Sequence, residues 1–253
     1  MIALIGNLSV DLLPGQAPRV GGGSYHGARA LRRLRVPARI VTRCAAVDKA
    51  KLLPPLIRLG TPVRYVPGES TATFSLAYDG DLRTMTVEAL GDAWLPADVP
   101  DLPSVRWVHV APLSRHEFPP ETIAALARRR RLSLDGQGLV RAPSLGPLRL
   151  DDDFDRDLLR HVWVLKLADE EAEVLGDPAA LGVREVIVTH GSRGSTVYCG
   201  GHAELVPARA LPGEPTGAGD VFATAYVVAR NAGFAPTGAA RRATAVVASL
   251  IAP

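Results

Sequence analysis

The chain has 253 residues, enough for one α/β domain or two smaller domains with a substantial buried core. A hydrophobic fraction of 47% and a charged fraction of 22% exclude a disordered chain, and no apolar run reaches the length of a membrane-spanning helix. The net charge of +3 is scattered over arginines and the aromatic fraction is 5%, which argues against nucleic-acid binding.

The N-terminal residues lack the basic and apolar regions of a signal peptide. Cys44 and Cys199 lie far apart in the sequence, so neither a disulfide framework nor a structural zinc site is indicated. We therefore expect a cytoplasmic protein with no nucleic-acid or membrane partner.

Apolar runs with β character alternate with helical segments along the chain. Strands are predicted at 2–5, 38–42, 105–110, 132–134, 162–165 and 186–189. Helices are predicted at 24–34, 49–59, 120–129, 169–175, 221–231 and 236–250. This alternation predicts βαβ units, and therefore an α/β fold in which helices cover a central, mostly parallel sheet.

Residues 61–90 break this alternation. The segments 63–66, 72–78 and 84–87 have the composition of short strands, and Asp79-Gly80-Asp81 predicts a hairpin turn between the last two. We interpret the region as a small sheet that covers the site as a lid. Because exposed short strands often pair between subunits, a homodimer through the lid stays open.

A glycine-rich segment, 214–220 (EPTGAGD), precedes the apolar helical run at 221–229. This pattern predicts a loop that enters a helix N-terminus, where backbone N–H groups and the helix dipole favour an anion such as a phosphate. Asp220 is then suited to accept a proton from a hydroxyl that attacks the phosphate. A second interpretation stays open, in which Thr216 and Asp220 only cap the helix and the glycines form a turn.

Three further segments lie where they could meet the first. Gly21-Gly22-Gly23 precede the helix at 24–34, while Asp135-Gly136-Gln137-Gly138 and the segment 188–194 (VTHGSRG) follow predicted strands. Ligands bind at the carboxyl ends of strands in open α/β sheets, so these loops are expected to line one crevice.

In this order the motifs resemble those of the ribokinase-like sugar kinases, also called the phosphofructokinase-B family. The match covers nearly the whole chain, and Thr216-Gly217-Ala218-Gly219-Asp220 is its most specific part. The resemblance implies a ribokinase-like three-layer α/β sandwich with a small β lid. It implies a single kinase domain over 1–253, with lid strands from about 11–20 and 61–90 and a short C-terminal tail.

The resemblance also implies ATP-dependent phosphorylation of a hydroxyl on a small polyol, sugar or cyclitol. Asp220 would be the catalytic base, and the amides of Gly217, Ala218 and Gly219 would form the anion hole. The acceptor would be bound by Asp11, Gly21, Gly22, Gly23, His26 and Gln137. The nucleotide would be bound by Lys166, Thr189, Gly191, Ser192, Gly194 and Thr216, with Glu171 organising Mg²⁺.

Three positions depart from the family pattern. Pro215 stands where Asp or Ala is usual, Ala168 replaces the Asn of the Asn-x-x-Glu motif that ends at Glu171, and His26 replaces an asparagine. The glycine triplet and the shortened lid look closer to a small inositol-kinase-like branch. A nucleoside kinase of the same family, and a weakly catalytic ligand-binding or regulatory module that kept the fold, stay open as alternatives.

Other functional classes have weaker support. No G-x-G-x-x-G follows the first strand and no Gly-Lys-Ser/Thr motif occurs, which argues against a Rossmann dehydrogenase and a Walker-type ATPase. His109 has the pattern of a core histidine, 151–153 that of a solvated acidic loop, and 128–131 that of a basic helix end.

Overall fold

Fourteen strands and seven α-helices lie within residues 1–79, 82–209 and 216–251, the part of the chain that this computed structural model describes. The strands are β1 (Ile2–Asn7), β2 (Ser9–Leu12), β3 (Arg19–Gly21), β4 (Ala38–Ala45), β5 (Val63–Gly68), β6 (Ala72–Asp79), β7 (Leu82–Ala89), β8 (Trp107–Val110), β9 (Arg131–Asp135), β10 (Gly146–Pro147), β11 (Val164–Ala168), β12 (Glu185–Thr189), β13 (Gly194–Cys199) and β14 (His202–Pro207). The helices are α1 (Gly23–Leu34), α2 (Lys49–Ile57), α3 (Pro120–Ala127), α4 (Gln137–Val140), α5 (Asp169–Leu175), α6 (Ala218–Asn231) and α7 (Pro236–Ile251).

A nine-stranded sheet carries the core. Its order is β14-β13-β12-β11-β9-β8-β1-β4-β5, and every pair from β12 to β5 is parallel. Successive side chains of a strand point to opposite faces, so Ile2 and Leu4 enter one hydrophobic cluster while Ala3 and Ile5 enter another. Helices α1, α2, α6 and α7 contribute to the first cluster, and α3 and α5 to the second. The predicted α/β fold with helices on both faces is confirmed.

The antiparallel hairpin of β13 and β14 extends this sheet at one edge and is absent from the sequence-based prediction. Only Val206 of β14 is buried, so the strand lacks the apolar alternation that would have marked it. The strand predicted at 162–165 lies instead at Val164–Ala168, and the one predicted at 105–110 begins at Trp107. No helix in the described ranges is long and apolar enough to cross a membrane.

A second sheet of five strands has the order β10-β7-β6-β2-β3. The segment Val63–Gly68, which the sequence grouped with the lid, does not belong to it: β5 pairs in parallel with β4 at the edge of the large sheet. The reason is connectivity, because α2 returns the chain to the edge next to β4 in a βαβ unit. β6 and β7 form the predicted antiparallel hairpin, while Gly80 and Asp81 of its proposed turn lie outside the described residues. The homodimer through this sheet stays a prediction.

Helices α1 and α6 pack side by side, which places their N-termini together. Gly27 of α1 permits this approach, because a Cβ there would collide with the hydroxyl of Thr224 on α6. On its other side α6 packs against α7, so nearly every residue from Val221 to Ala229 is buried. The two glycine-rich loops that precede α1 and α6 therefore meet at one end of the sheet.

Candidate active site

The site is built where α6 begins. Gly217 has the left-handed backbone conformation with φ 77°, and α6 starts at the next residue. The ring of His26 occupies the space that a Cβ on Gly217 would need. Glycine is therefore required here both by its conformation and by the space available. Asp220 lies in the first turn of α6, near the positive end of the helix dipole.

The carboxylates of Asp11 and Asp220 both approach the glycine triplet before α1. A Cβ on Gly21 would collide with the Asp11 carboxylate, and a Cβ on Gly23 would lie 2.8 Å from Oδ1 of Asp220. Gly22, between them, has φ 92° and passes close to the carbonyl oxygen of Asn7 at the end of β1. The glycine triplet thus brings two carboxylates to the same stretch of bare backbone.

The pKa of Asp11 is raised above its ordinary value. Burial is the main cause that raises the pKa of Asp11, and the nearby charge of Asp220 raises it further. The Ser9 hydroxyl, which donates to Asp11 Oδ1 at 2.8 Å, opposes this rise together with His26 and Arg19. Asp11 is thus a buried carboxylate whose pKa lies above its ordinary value.

Lys166 lies in the middle of β11, and its amine reaches the beginning of α6. Its Nζ lies 3.4 Å from Oδ2 of Asp135 and 3.1 Å from the position of a Cβ on Gly219. Burial would lower the pKa of Lys166, but the carboxylates of Asp135, Glu171 and Asp220 outweigh it, so the net direction is upward. A buried, protonated amine therefore sits beside the first turn of α6.

Glu171 lies in the first turn of α5 and is 3% exposed. Its Oε2 accepts a hydrogen bond at 2.9 Å from the N–H of Ala168, the residue that stands in place of the family's asparagine. In the described part of the chain, no three His, Cys, Asp or Glu side chains are close enough to hold a metal ion together. Oε2 of Glu171 is thus engaged with the backbone at the beginning of α5.

The loop after β12 carries the predicted nucleotide residues. Thr189 Oγ1 donates to the carbonyl of Leu167 at 3.0 Å, and Gly191 and Gly194 have φ 56° and 113°. Ser192 is exposed between these glycines. The loop follows β12, whose last residue Thr189 pairs with Ala168 of β11, and it does not line the acceptor cavity described below.

An ion network that the sequence did not predict fixes this loop. Asp169 receives a hydrogen bond at 2.8 Å from Arg193 through Oδ2, and its Oδ1 lies 2.5 Å from Nδ1 of His190. Nε2 of His190 in turn lies 2.8 Å from the Thr196 hydroxyl. The only sequence signal was the run of acids that follows Ala168, and nothing in it identified the partners.

A cavity of about 930 Å³ opens beside the glycine triplet. Asp11, His26 and Thr216 line it, together with residues of the small sheet, α1 and α2. Gln137, predicted to bind the acceptor, does not line this cavity. It is buried at the first position of α4, and its backbone N–H donates to Asp135 Oδ1 at 3.3 Å.

A second buried cluster lies behind the loop that follows β8. Glu117 is fully buried, its Oε2 accepts from the Leu113 N–H at 2.9 Å, and burial raises its pKa to about 8. Asn7, at the end of β1, accepts from Trp94 Nε1 at 2.7 Å and donates to the carbonyl of Asp92 at 2.9 Å. No pattern in the sequence indicated this cluster, because Glu117 lies in the short 3-10 turn between β8 and α3, where an exposed acid is the usual expectation.

Taken together, the doubly covered sheet, the small second sheet and the loop before α6 define the ribokinase-like fold. The chain matches the model of the pfkB family carbohydrate kinases over residues 61–252 and belongs to that family.

Three comparisons place the chain among its relatives. It is 32% identical over 193 residues to an inositol 3-kinase of Zea mays, an alignment that covers 74% of this chain and 50% of that protein. It is 27% identical to a fructokinase of Rhizobium leguminosarum bv. trifolii, over 88% of this chain and 77% of that protein. A pyrophosphate-dependent kinase in the ribokinase family, complexed with a pyrophosphate analog and myo-inositol, superposes with a TM-score of 0.86 at 26% identity, covering 99% of this chain and 95% of that one. The chain spans about half the length of the inositol 3-kinases that it matches.

Proposed function

We propose that this protein is a kinase that transfers a phosphoryl group to a hydroxyl of a small cyclitol, sugar or polyol. The observation that carries the proposal is the position of Asp220. Its carboxylate lies in the first turn of α6 and close to Gly23 of the glycine triplet. A base next to a helix N-terminus is the arrangement that transfer to a hydroxyl requires, since both the incoming oxygen and the moving phosphoryl group need a partner.

In the proposed reaction, Asp220 accepts the proton of the attacking hydroxyl as the new O–P bond forms and the bond to the donor breaks. The amides of Gly217, Ala218 and Gly219 face the phosphoryl oxygens, because the first N–H groups of a helix lack intrahelical partners. Lys166, protonated and next to Gly219, supplies positive charge on the donor side. General-base assistance of this kind contributes about 10²–10⁴-fold in rate.

The acceptor is proposed to lie in the cavity that Asp11, His26 and Thr216 line. A carboxylate such as Asp11 accepts hydrogen bonds from hydroxyls, and the glycine triplet lets a ring approach the backbone. Relatives named for inositol and fructose support a cyclitol or sugar as the acceptor class. A nucleoside remains the second choice within the family.

The proposed donor is ATP with Mg²⁺, bound at Lys166, Thr189, Gly191, Ser192, Gly194 and Thr216. Mg²⁺ neutralises charge on donor phosphates and is commonly held by them, by water and by one or two carboxylates, which fits Glu171 as a partner through water. Pyrophosphate is a second candidate donor, because the solved relative that carries myo-inositol is pyrophosphate-dependent. Either donor presents its phosphates to the same helix N-terminus.

The test is a phosphoryl-transfer assay that combines each donor, with and without Mg²⁺, with inositols, sugars, polyols and nucleosides. We expect transfer with at least one combination, and a loss of kcat of about 10²–10⁴-fold in Asp220→Asn. Thr237→Ala on α7 is the control, since its hydroxyl donates only to Glu204 at the surface. Full transfer activity in Asp220→Asn would rule out this residue as base; ligand binding without any transfer would favour the non-catalytic module.

A further inference from the structure

Three arginine or lysine residues of the described chain line the acceptor cavity: Arg19 of β3, whose charge acts on Asp11, and Arg29 and Lys51, to which the proposed reaction gives no role. Arg29 on α1 and Lys51 on α2 both line it, together with Asp11, His26 and Thr216. We infer that the natural acceptor is an anionic polyol, whose phosphate or carboxylate group is bound by Arg29 and Lys51. This inference rests on the proposed function, because it names the substrate class of the same site.

Arg29 lies on the face of α1 that lines the cavity. It follows His26 by three residues on α1, so the two side chains share a face of the helix, and Tyr25 and Arg29 are related in the same way by four residues. Lys51 and Pro55 present the corresponding face of α2. Arg29 and Lys51 therefore line the cavity from two different helices.

The two carboxylates that line the cavity are hydrogen-bonded to hydroxyl groups and not to these two cations. Asp48 accepts from the Thr71 hydroxyl at 2.7 Å, and Asp11 accepts from Ser9 at 2.8 Å. Across the described part of the chain, neither Arg29 nor Lys51 forms an ion pair with any carboxylate. Both charges are therefore available to a ligand, and hydrogen bonds from such groups to phosphate or carboxylate are among the strongest in proteins.

Arg29 lies where the cavity meets a neighbouring groove. Arg29 and Leu250 line the adjoining groove with Arg32 and Arg33, whereas Asp11, His26 and Thr216 do not line that groove. Arg29 thus marks the side of the cavity next to this groove. A volume of about 930 Å³ lies at the upper end of the range for ligand pockets and leaves room beyond a single six-membered ring. Inositol and fructose, for which the relatives are named, carry no charge for Arg29 and Lys51 to bind.

The experiment compares acceptors that share a carbon frame, one member of each pair being uncharged and the other carrying an anionic group. The pairs are myo-inositol with a myo-inositol monophosphate, fructose with fructose 6-phosphate, and glucitol with gluconate, each with ATP–Mg²⁺ and with pyrophosphate–Mg²⁺. The phosphate pairs and the carboxylate pair distinguish the two sources of the anion. We expect kcat/KM at least tenfold higher for the anionic member of one kind of pair. Combining Arg29→Gln with Lys51→Gln should lower that value about 100-fold, since each charged hydrogen bond contributes roughly tenfold or more.

The matched control is Arg32→Gln, which removes the same charge from the next turn of α1 without touching this cavity. We expect it to change kcat/KM less than threefold for every acceptor. The inference is wrong if the uncharged members are preferred in all pairs, or if the double variant loses activity on charged and uncharged acceptors alike. Calorimetric binding of the same polyols separates the two proposals: if no donor supports transfer but anionic polyols bind and the double variant abolishes that binding, the kinase proposal fails and the anion site stands.

Discussion

The carboxylate of Asp220 lies against the backbone of Gly23, where an added Cβ would come within 2.8 Å of its Oδ1 and would also collide with Ala111. We therefore expect Gly23→Ala to displace Asp220 or the loop before α1 and to lower kcat about 100-fold, as misplacement by 1 Å at a reacting group can do. Steady-state kinetics on the best acceptor would measure this loss. In Gly238→Ala on α7, where a Cβ meets open space among the described residues, kcat should stay unchanged. A wild-type kcat in Gly23→Ala would show that the close approach of Asp220 to Gly23 does not matter for catalysis.

A second prediction concerns the turn before α6. Gly217→Ala forces an alanine into the left-handed region at φ 77° and against the ring of His26. Gly201→Ala in the turn between β13 and β14 imposes nearly the same strain at φ 78° but points into open space. We expect Gly201→Ala to cost about 1 kcal/mol of unfolding free energy and to leave kcat intact.

In contrast, Gly217→Ala should cost more than its control and should also reduce kcat. Urea denaturation and kinetics on both variants separate the backbone strain, which they share, from the contact with His26, which only one has. Equal losses in both variants would contradict a specific role for the space beside Gly217.

The buried carboxyl of Glu117 predicts a pH-dependent stability. Burial raises its pKa from 4.5 to about 8, so the folded protein holds a proton that the unfolded chain releases above pH 4.5. The contribution is complete below about pH 4.5 and is lost as the pH rises toward about 8. Of the neighbouring charges, Arg141 opposes the rise in pKa and Asp92 adds to it.

Glu117→Gln removes the proton exchange while keeping an acceptor for the Leu113 N–H. We expect this variant to lose less unfolding free energy between pH 5 and pH 8 than the wild type, by a few kcal/mol. Glu121→Gln, at an exposed position on α3, is the control and should follow the wild-type curve. Chemical denaturation across this pH range measures the difference, and parallel curves for all three proteins would disprove a buried proton on Glu117.

A fourth prediction contrasts a buried with an exposed ion pair. Glu185, 1% exposed on β12, receives hydrogen bonds from Arg230 at 2.6 and 2.9 Å and from the Tyr226 hydroxyl at 2.8 Å. Glu185→Ala leaves these donors unsatisfied beneath the sheet and should cost about 3–5 kcal/mol. Glu204→Ala, which breaks the exposed pair with Arg241, should cost less than about 1 kcal/mol. Denaturation midpoints measure both, and similar losses would mean that burial does not set the energy of the Glu185 pair.

The sequence predicted the elements that depend on local backbone requirements. Helix α5 was predicted at 169–175 and lies at Asp169–Leu175, and a helix was predicted immediately after the loop that contains Gly217. A left-handed backbone position requires glycine, and an apolar run with helical composition favours a helix. Both features depend only on residues that are close together in the chain, so they can be recognised from the sequence. The roles proposed for Asp220, Lys166 and Glu171 followed from the same motifs and stay predictions.

The tertiary structure alone decided which distant segments meet. The composition of β5 resembles that of a lid strand, and only its pairing with β4 assigns it to the large sheet. Asp169 at the beginning of α5 contacts His190 and Arg193 in the segment after β12. Arg29 and Lys51 are ordinary surface cations in the sequence, and only the packing of α1 and α2 turns both toward one cavity. Burial and charge pairing depend on contacts between residues far apart in the chain, so no local pattern encodes them.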